Sequence, residues 1–226
     1  MKNSRQFLSP KVVLLDVYET LLDMSEVESG VNLLLNSKRG YIIWFELFME
    51  YCFVDNCTAQ FNDFPSIAKA SLLMAAKKLR TAINEQDANS ILILLEHVPI
   101  KSDVQNALSK LNDSDFRIAA LTNASEKTVR TRMERTGLIS YFETVLSAEN
   151  VGKYKPSLEV YDWAARKLEV KPSEILMVST HSWDIAGAAN AGMHTAYLKR
   201  EDEIFFPLGP SPTIELESLL ELSNTL

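Results

Sequence analysis

Four short stretches place chemically capable side chains at similar points in the chain. In "KVVLLDVYETLLDM", Lys11 to Met24, an apolar run stops on the carboxylate of Asp16, with Tyr18 and Thr20 close behind. "FRIAAL" stops on Thr122 and Asn123, and "ILMV" on Ser179 and Thr180, followed by His181, Trp183 and Asp184. Lys155 stands in "VGKYKPSLEVY", just ahead of an expected helix. Carboxylates, an amine, hydroxyls and an imidazole are the groups from which acid, base and nucleophilic sites are assembled. Singly, each has a plainer use. An Asp after a strand is usually a turn or cap residue, Thr122, Asn123 and Ser125 suit a helix start, and a lysine is usually solvated. Together they form a set, because all are expected at one end of the same layer.

That layer is legible. Apolar runs rich in β-branched residues occur at Val12–Leu15, Phe116–Leu121, Thr144–Leu146, Ile175–Val178 and Thr195–Leu198. Helix-period segments separate the later ones at Glu126–Arg135, Leu158–Leu168 and Asp184–Ala191, with Gly137 and Gly192 at expected helix ends. Strand followed by helix, repeated, predicts an α/β fold: a Rossmann-like parallel sheet with helices on both faces. Ligands of such sheets bind outside the carboxyl ends of the strands, so the polar residues should converge on one mouth. From about Glu26 to His97 the rhythm breaks into helix-period apolar segments, including "YIIWFELFMEYCFV". A helical cap at 23–98 is therefore expected within a core formed by 1–22 and 99–226. The tail "PLGPSPTIELESLLELSNTL" predicts a Pro/Gly joint and a short amphipathic helix.

At 226 residues and 46% hydrophobic, the chain can bury a large core. A net charge of -7 argues against nucleic acid as a partner. No run is long enough to span a bilayer, and "MKNSRQFLSP" does not read as a signal peptide, so no membrane association is expected. Cys52 and Cys57 lack metal-ligand or disulfide-framework spacing and read as thiols in a reducing cytoplasm.

The stretches "LLDVYETLLD", "LTNASEKTV", "YKPSLEVY" and "VSTHSWDIAGAANAGM" resemble the haloacid dehalogenase superfamily, and within it the enzymes acting on L-2-haloacids. The resemblance spans essentially the whole chain, helical cap included. It implies that Asp16 is the nucleophile, forming an ester that water, activated near Asp184, then hydrolyses. Thr20, Thr122 and Asn123 would hold substrate oxygens or line the pocket. Lys155 would orient and neutralise Asp16, with Tyr161 nearby. Ser179, His181 and Asp184 would position Lys155 and the water, and Tyr18, Phe64 and Trp183 would line the substrate site. A small-molecule substrate, no cofactor and a homodimer are implied too.

Most of the superfamily are phosphatases, which need magnesium and a second acid two residues after the nucleophile. Here that position is Tyr18, and the last motif opens on Ser179-Thr180 instead of Gly-Asp. Both departures favour a metal-free dehalogenase, since a leaving halide needs no proton. A non-catalytic binding protein is the third alternative. Three further positions differ from the dehalogenase pattern: Phe45 stands where an Arg is expected, Glu19 where a Gly is, and His181 where an Asn is. Arg39, a little earlier in the chain, could compensate for the missing Arg, although a surface position is its plainer use.

Overall fold

The computed structural model describes residues 10–114, 116–200 and 204–226; the amino-terminal stretch read above as lacking a signal peptide lies almost wholly outside them. Its centre is a six-stranded sheet in the order β3-β2-β1-β4-β5-β6, every neighbouring pair parallel. The strands are β1 (Val12–Leu15), β2 (Arg117–Thr122), β3 (Thr144–Ser147), β4 (Ile175–Ser179), β5 (His194–Leu198) and β6 (Ile214–Leu216). The first five lie within a residue of the expected runs at each end. β1 shows why the pattern was readable. All four of its residues are buried, Val13 and Leu15 in the core on one face and Val12 and Leu14 in the core on the other. A strand covered on both faces has no polar alternation.

Four helices, α1 (Ser25–Leu34), α2 (Gly40–Thr58), α3 (Phe64–Lys78) and α4 (Glu85–Leu95), separate β1 from α5 (Val104–Asn112). Their starts follow local chemistry. Asp63 caps α3 by accepting from the Ser66 amide at 2.8 Å, and Asn84 with Asp87 forms a capping box on α4. The two ends of this insert meet: Leu22 bridges Ile100, and the Asp23 amide donates to the Pro99 carbonyl at 2.8 Å. Among the described residues, no helix is long and apolar enough to cross a membrane.

The remaining helices are α6 (Glu126–Arg135), α7 (Leu158–Lys167), α8 (Ser182–Asn190) and α9 (Leu222–Thr225). The carboxyl-terminal tail departs from the expected single helix. Ile214–Leu216 joins the sheet as β6, paired with β5, and only a short 3₁₀ turn and the four residues of α9 are helical. Leu216, Leu219 and Leu222 are buried. Spacing of three is equally compatible with one helix, and pairing with the open edge of β5 decides the outcome. Strand β1 has β2 on one side and β4 on the other, so chain order reverses direction across it. This is the switch point at which α/β sheets open a crevice.

Candidate active site

Asp16 follows β1 directly and is 4% exposed. Its Oδ1 accepts from Lys155 Nζ at 2.7 Å, and its Oδ2 accepts from Thr20 Oγ1 at 2.8 Å. Lys155 Nζ also donates to Asp184 Oδ2 at 2.7 Å and to the Leu121 carbonyl at 3.1 Å, which uses its three protons. Asp184 Oδ1 accepts from the Tyr161 hydroxyl at 2.6 Å. Asn123, after β2, accepts from the Lys155 amide at 2.7 Å and so fixes the backbone that launches the lysine. Strand ends, distant in sequence, thus converge on one cluster.

Burial is the largest influence on each group; partners overturn it at Asp16 and Lys155 but not at Asp184 or Tyr161. Burial alone would raise the Asp16 carboxyl, but Lys155 and His181 reverse this and hold it well below the usual carboxylate range. Burial opposes charge on Lys155 as well, and the carboxylates of Asp16 and Asp184 outweigh it. For Asp184, burial together with the charge of Asp16 prevails over Lys155, so its carboxyl is raised. Burial and Asp184 push the Tyr161 phenol well above its ordinary value, keeping it a donor.

His181 joins a second chain of contacts. Its Nδ1 lies 3.2 Å from Asp16 Oδ2, and its Nε2 lies 2.7 Å from Glu19 Oε2. Glu19 Oε1 accepts from the Tyr41 hydroxyl of α2 at 2.7 Å. Burial opposes charge on the imidazole, yet the hydrogen bonds and charges of Asp16 and Glu19 carry its pKa well above 6.5.

Above this cluster lies a cavity of about 450 Å³, its open mouth included. Its walls are mostly apolar, with Trp44, Phe45, Phe48 and Met49 of α2, Phe64 of α3 and Trp183 of α8. Asp16, Tyr18, Thr122, Asn123, Lys155 and His181 also line it. Asn123 Nδ2 is buried with no hydrogen-bond partner among the described residues. The other expected residues stand behind the wall. Thr20 holds Asp16, Ser179 Oγ accepts from the His181 amide at 3.1 Å, and Tyr161 reaches Asp184 without lining the cavity. Thr122 Oγ1 accepts from the Ala124 amide at 3.1 Å and shapes the turn after β2. Arg39 is exposed just before α2 and does not line the cavity, so it does not replace the missing arginine. Phe45 instead stacks on His181, ring centres 6.0 Å apart.

Several residues of the site carried no clear sequence signal. Arg132, in the middle of α6, is 3% exposed and donates to the Tyr18 hydroxyl at 2.6 Å. Asn56 of α2 pairs its side-chain amide with both the amide and carbonyl of Tyr154, each at 2.8 Å, next to Lys155. Gly187 lies so close to Tyr161 that a Cβ there would sit 2.5 Å from the ring. That Gly187 falls one turn after Asp184 is the one cue that the sequence offered.

The donor set does not suit a divalent cation. The Lys155 ammonium occupies the position between Asp16 and Asp184, and both oxygens of each carboxylate already receive hydrogen bonds. The Tyr18 hydroxyl, two residues beyond Asp16, is turned to Arg132. Among the described residues there is no group of three or more His, Cys, Asp or Glu arranged to hold a metal.

A parallel sheet with a buried Asp–Lys–Asp cluster at its switch point defines a haloacid dehalogenase-like hydrolase, and the chain belongs to that family: the family model matches residues 15–198. Among curated relatives, it is 28% identical to (S)-2-haloacid dehalogenase 2 of Pseudomonas sp. (strain CBS-3) over 218 residues, 95% of this chain and 94% of that protein. It is 25% identical to (S)-2-haloacid dehalogenase H-109 of Pseudomonas putida, covering 95% and 96% of the two. Among solved structures, L-2-haloacid dehalogenase from Xanthobacter autotrophicus shares the fold with a TM-score of 0.85 at 21% identity, over 95% of this chain and 97% of that one. A second structure of that protein, with chloropropionic acid covalently bound, matches with a TM-score of 0.85 at 20% identity, over 95% and 97%.

Proposed function

We propose that this protein hydrolyses the carbon–halogen bond of a 2-haloacid to give a 2-hydroxy acid and halide, through an ester on Asp16. The observation that carries this reading is the Lys155 ammonium, 2.7 Å from both Asp16 and Asp184 beneath an apolar cavity. It keeps Asp16 anionic where burial would otherwise neutralise it. The carboxylate attacks the carbon bearing halogen from the side opposite the halogen, and the halide leaves with the bonding electrons. Thr20 holds the attacking group, and Asn123 Nδ2 is a buried donor for the substrate carboxylate or the departing halide. The aromatic walls receive the apolar arm of the acid and exclude water until substitution is complete. Water then opens the ester.

The 23–98 segment acts in this reading as a cap over the 1–22 and 99–226 core, supported by its paired stems at Leu22 and Ile100 and by the α2 residues in the cavity wall. No metal is required. A cytoplasmic enzyme is proposed from the free Cys52 and Cys57.

Wild-type protein should release chloride or bromide from short 2-haloacids without added metal, and Asp16→Asn should release none. Silence of the wild type across such a panel refutes the substrate class, while magnesium-stimulated cleavage of a phosphate ester, abolished by chelator, would favour the phosphatase alternative. An adduct on Asp16, detected by mass spectrometry, excludes a purely binding role.

A further inference from the structure

Opening an ester on Asp16 needs a group that takes a proton from water. Asp184 is poorly placed for this. It is fully buried, does not line the cavity, and has its two oxygens committed to Lys155 at 2.7 Å and Tyr161 at 2.6 Å. His181 is differently situated. Its ring lines the cavity, and its Nδ1 faces Asp16 Oδ2 at 3.2 Å. Trp183 stacks on the ring with centroids 4.8 Å apart, and Phe45 does so at 6.0 Å, so the ring is clamped with that nitrogen toward Asp16. The far nitrogen, Nε2, meets Glu19 Oε2 at 2.7 Å, and Tyr41 holds the other oxygen of Glu19.

The backbone gives an independent sign of the same arrangement. Glu19 has φ +60°, in the left-handed region that side chains disfavour. The other described non-glycine residues with positive φ, Asn36, Ala59, Arg80 and Glu169, each follow a helix end, where that conformation is common. Glu19 lies in the turn after β1 and has no such excuse. With that backbone, its carboxylate meets His181 Nε2 at 2.7 Å.

Building on the reading of Asp16 as the ester-forming nucleophile, we propose that His181, backed by Glu19, is the general base that activates the hydrolytic water, in place of Asp184. In the resting site His181 is a cation between two carboxylates. Alkylation turns Asp16 into a neutral ester as halide departs with the electrons of the broken bond. His181 then loses one of the two anions that held its proton and releases that proton to solvent. Lys155, bonded to Asp16 and 5.7 Å from the Trp183 ring, favours this loss by its own charge. Nε2–H stays on Glu19, and Nδ1 becomes an acceptor. Water gives one proton to Nδ1 while its oxygen bonds to the Asp16 acyl carbon. Collapse breaks the bond from that carbon to the alkoxy oxygen, which takes the remaining water proton. The products are the hydroxy acid, the Asp16 carboxylate and the His181 cation, with one proton released to solvent per halide.

The test is a quenched single-turnover experiment with 2-chloropropionate on wild type, His181→Asn and Glu19→Gln, following chloride and intact-protein mass. His181→Asn should release close to one chloride per site and then stall as the Asp16 ester, with steady turnover lowered at least 100-fold. Glu19→Gln should accumulate less ester and lose roughly tenfold. Ester decay in wild type should rise with pH through a single ionisation that His181→Asn lacks. Turnover of His181→Asn within threefold of wild type, or ester decay with unchanged pH dependence, overturns the proposal. So does a His181→Asn protein that forms no ester while wild type does, because it places the residue before alkylation. Wild type that yields neither chloride nor adduct refutes the dehalogenase reading itself, and this proposal with it.

Discussion

Phe45 concentrates the difference between this site and the pattern it resembles. An arginine is expected there, and the chain instead lays a phenyl ring on a cationic imidazole. A positive charge at position 45 would therefore face the raised-pKa imidazole of His181, which is paired with Glu19 and Asp16. Restoring the expected residue should then harm the enzyme. In Phe45→Arg a guanidinium would stand roughly 6 Å from His181, a repulsion of about 2–3 kcal/mol at an effective dielectric near 20. The expected result is at least a tenfold lower kcat/KM for 2-chloropropionate; a rise would show that position 45 still lacks a needed charge. Residue by residue, legibility follows locality. Asp16, Thr122, Asn123 and Asp184 could be read because each ends or follows a buried strand. Glu19 and His181 lie 162 positions apart, and nothing in either neighbourhood announces the other. Arg132 reads as an ordinary polar position of an amphipathic helix, since its burial comes from tertiary contacts, with the Tyr18 hydroxyl and the Leu95 carbonyl among them.

Elements, more than single side chains, hold the lysine and its second carboxylate in place. α7 carries Tyr161 and α8 carries Asp184, and the hydrogen bond between them requires the helices to cross closely. Gly187 permits that crossing: a Cβ would lie 2.5 Å from the Tyr161 ring and 2.8 Å from Pro156 Cβ. Neither neighbour is a flexible chain end that can swing aside. Gly187→Ala should therefore cost about 1–3 kcal/mol of stability by overpacking. It should also lower halide release at least tenfold, because Tyr161 leaves Asp184 and the Lys155 bridge loosens. Denaturant unfolding and initial halide rates check both; an unaltered rate with reduced stability would confine Gly187 to packing. Asn56 of α2 clasps Tyr154 next to Lys155, a link between that helix and the lysine loop that no helix periodicity encodes. The sheet was legible because burial on both faces leaves continuous apolar runs. β6 escaped because three residues at a sheet edge, with Leu216 and Leu219 helix-spaced, fit either structure.

For the molecule as a whole, the site is a buried assembly of three carboxylates and two cations whose ionisation is part of folding. The directions of shift fix how stability varies with pH. The Asp16 carboxyl is lowered on folding, so its pairing stabilises above the unfolded carboxylate range and is lost as the pH falls below about 4. Asp184 is raised, so its ionisation costs stability above that range and offsets part of the gain. His181 runs the other way. Its folded pKa is raised, so its contribution is complete below about 6.5 and is lost as the pH rises through the folded value. Lys155 shares that sign only in strongly alkaline solution, above its ordinary value of 10.5. Between pH 7 and 9, the term separating wild type from His181→Asn is therefore the imidazole. Wild type should be the more stable near pH 6, and its advantage should shrink on the alkaline side, by a few degrees of Tm in a chain of this size. Thermal unfolding at several pH values measures it. Parallel decline of the two proteins would mean that His181 is not protonated in the folded resting state, and that the charge between Asp16 and Glu19 has been wrongly assigned.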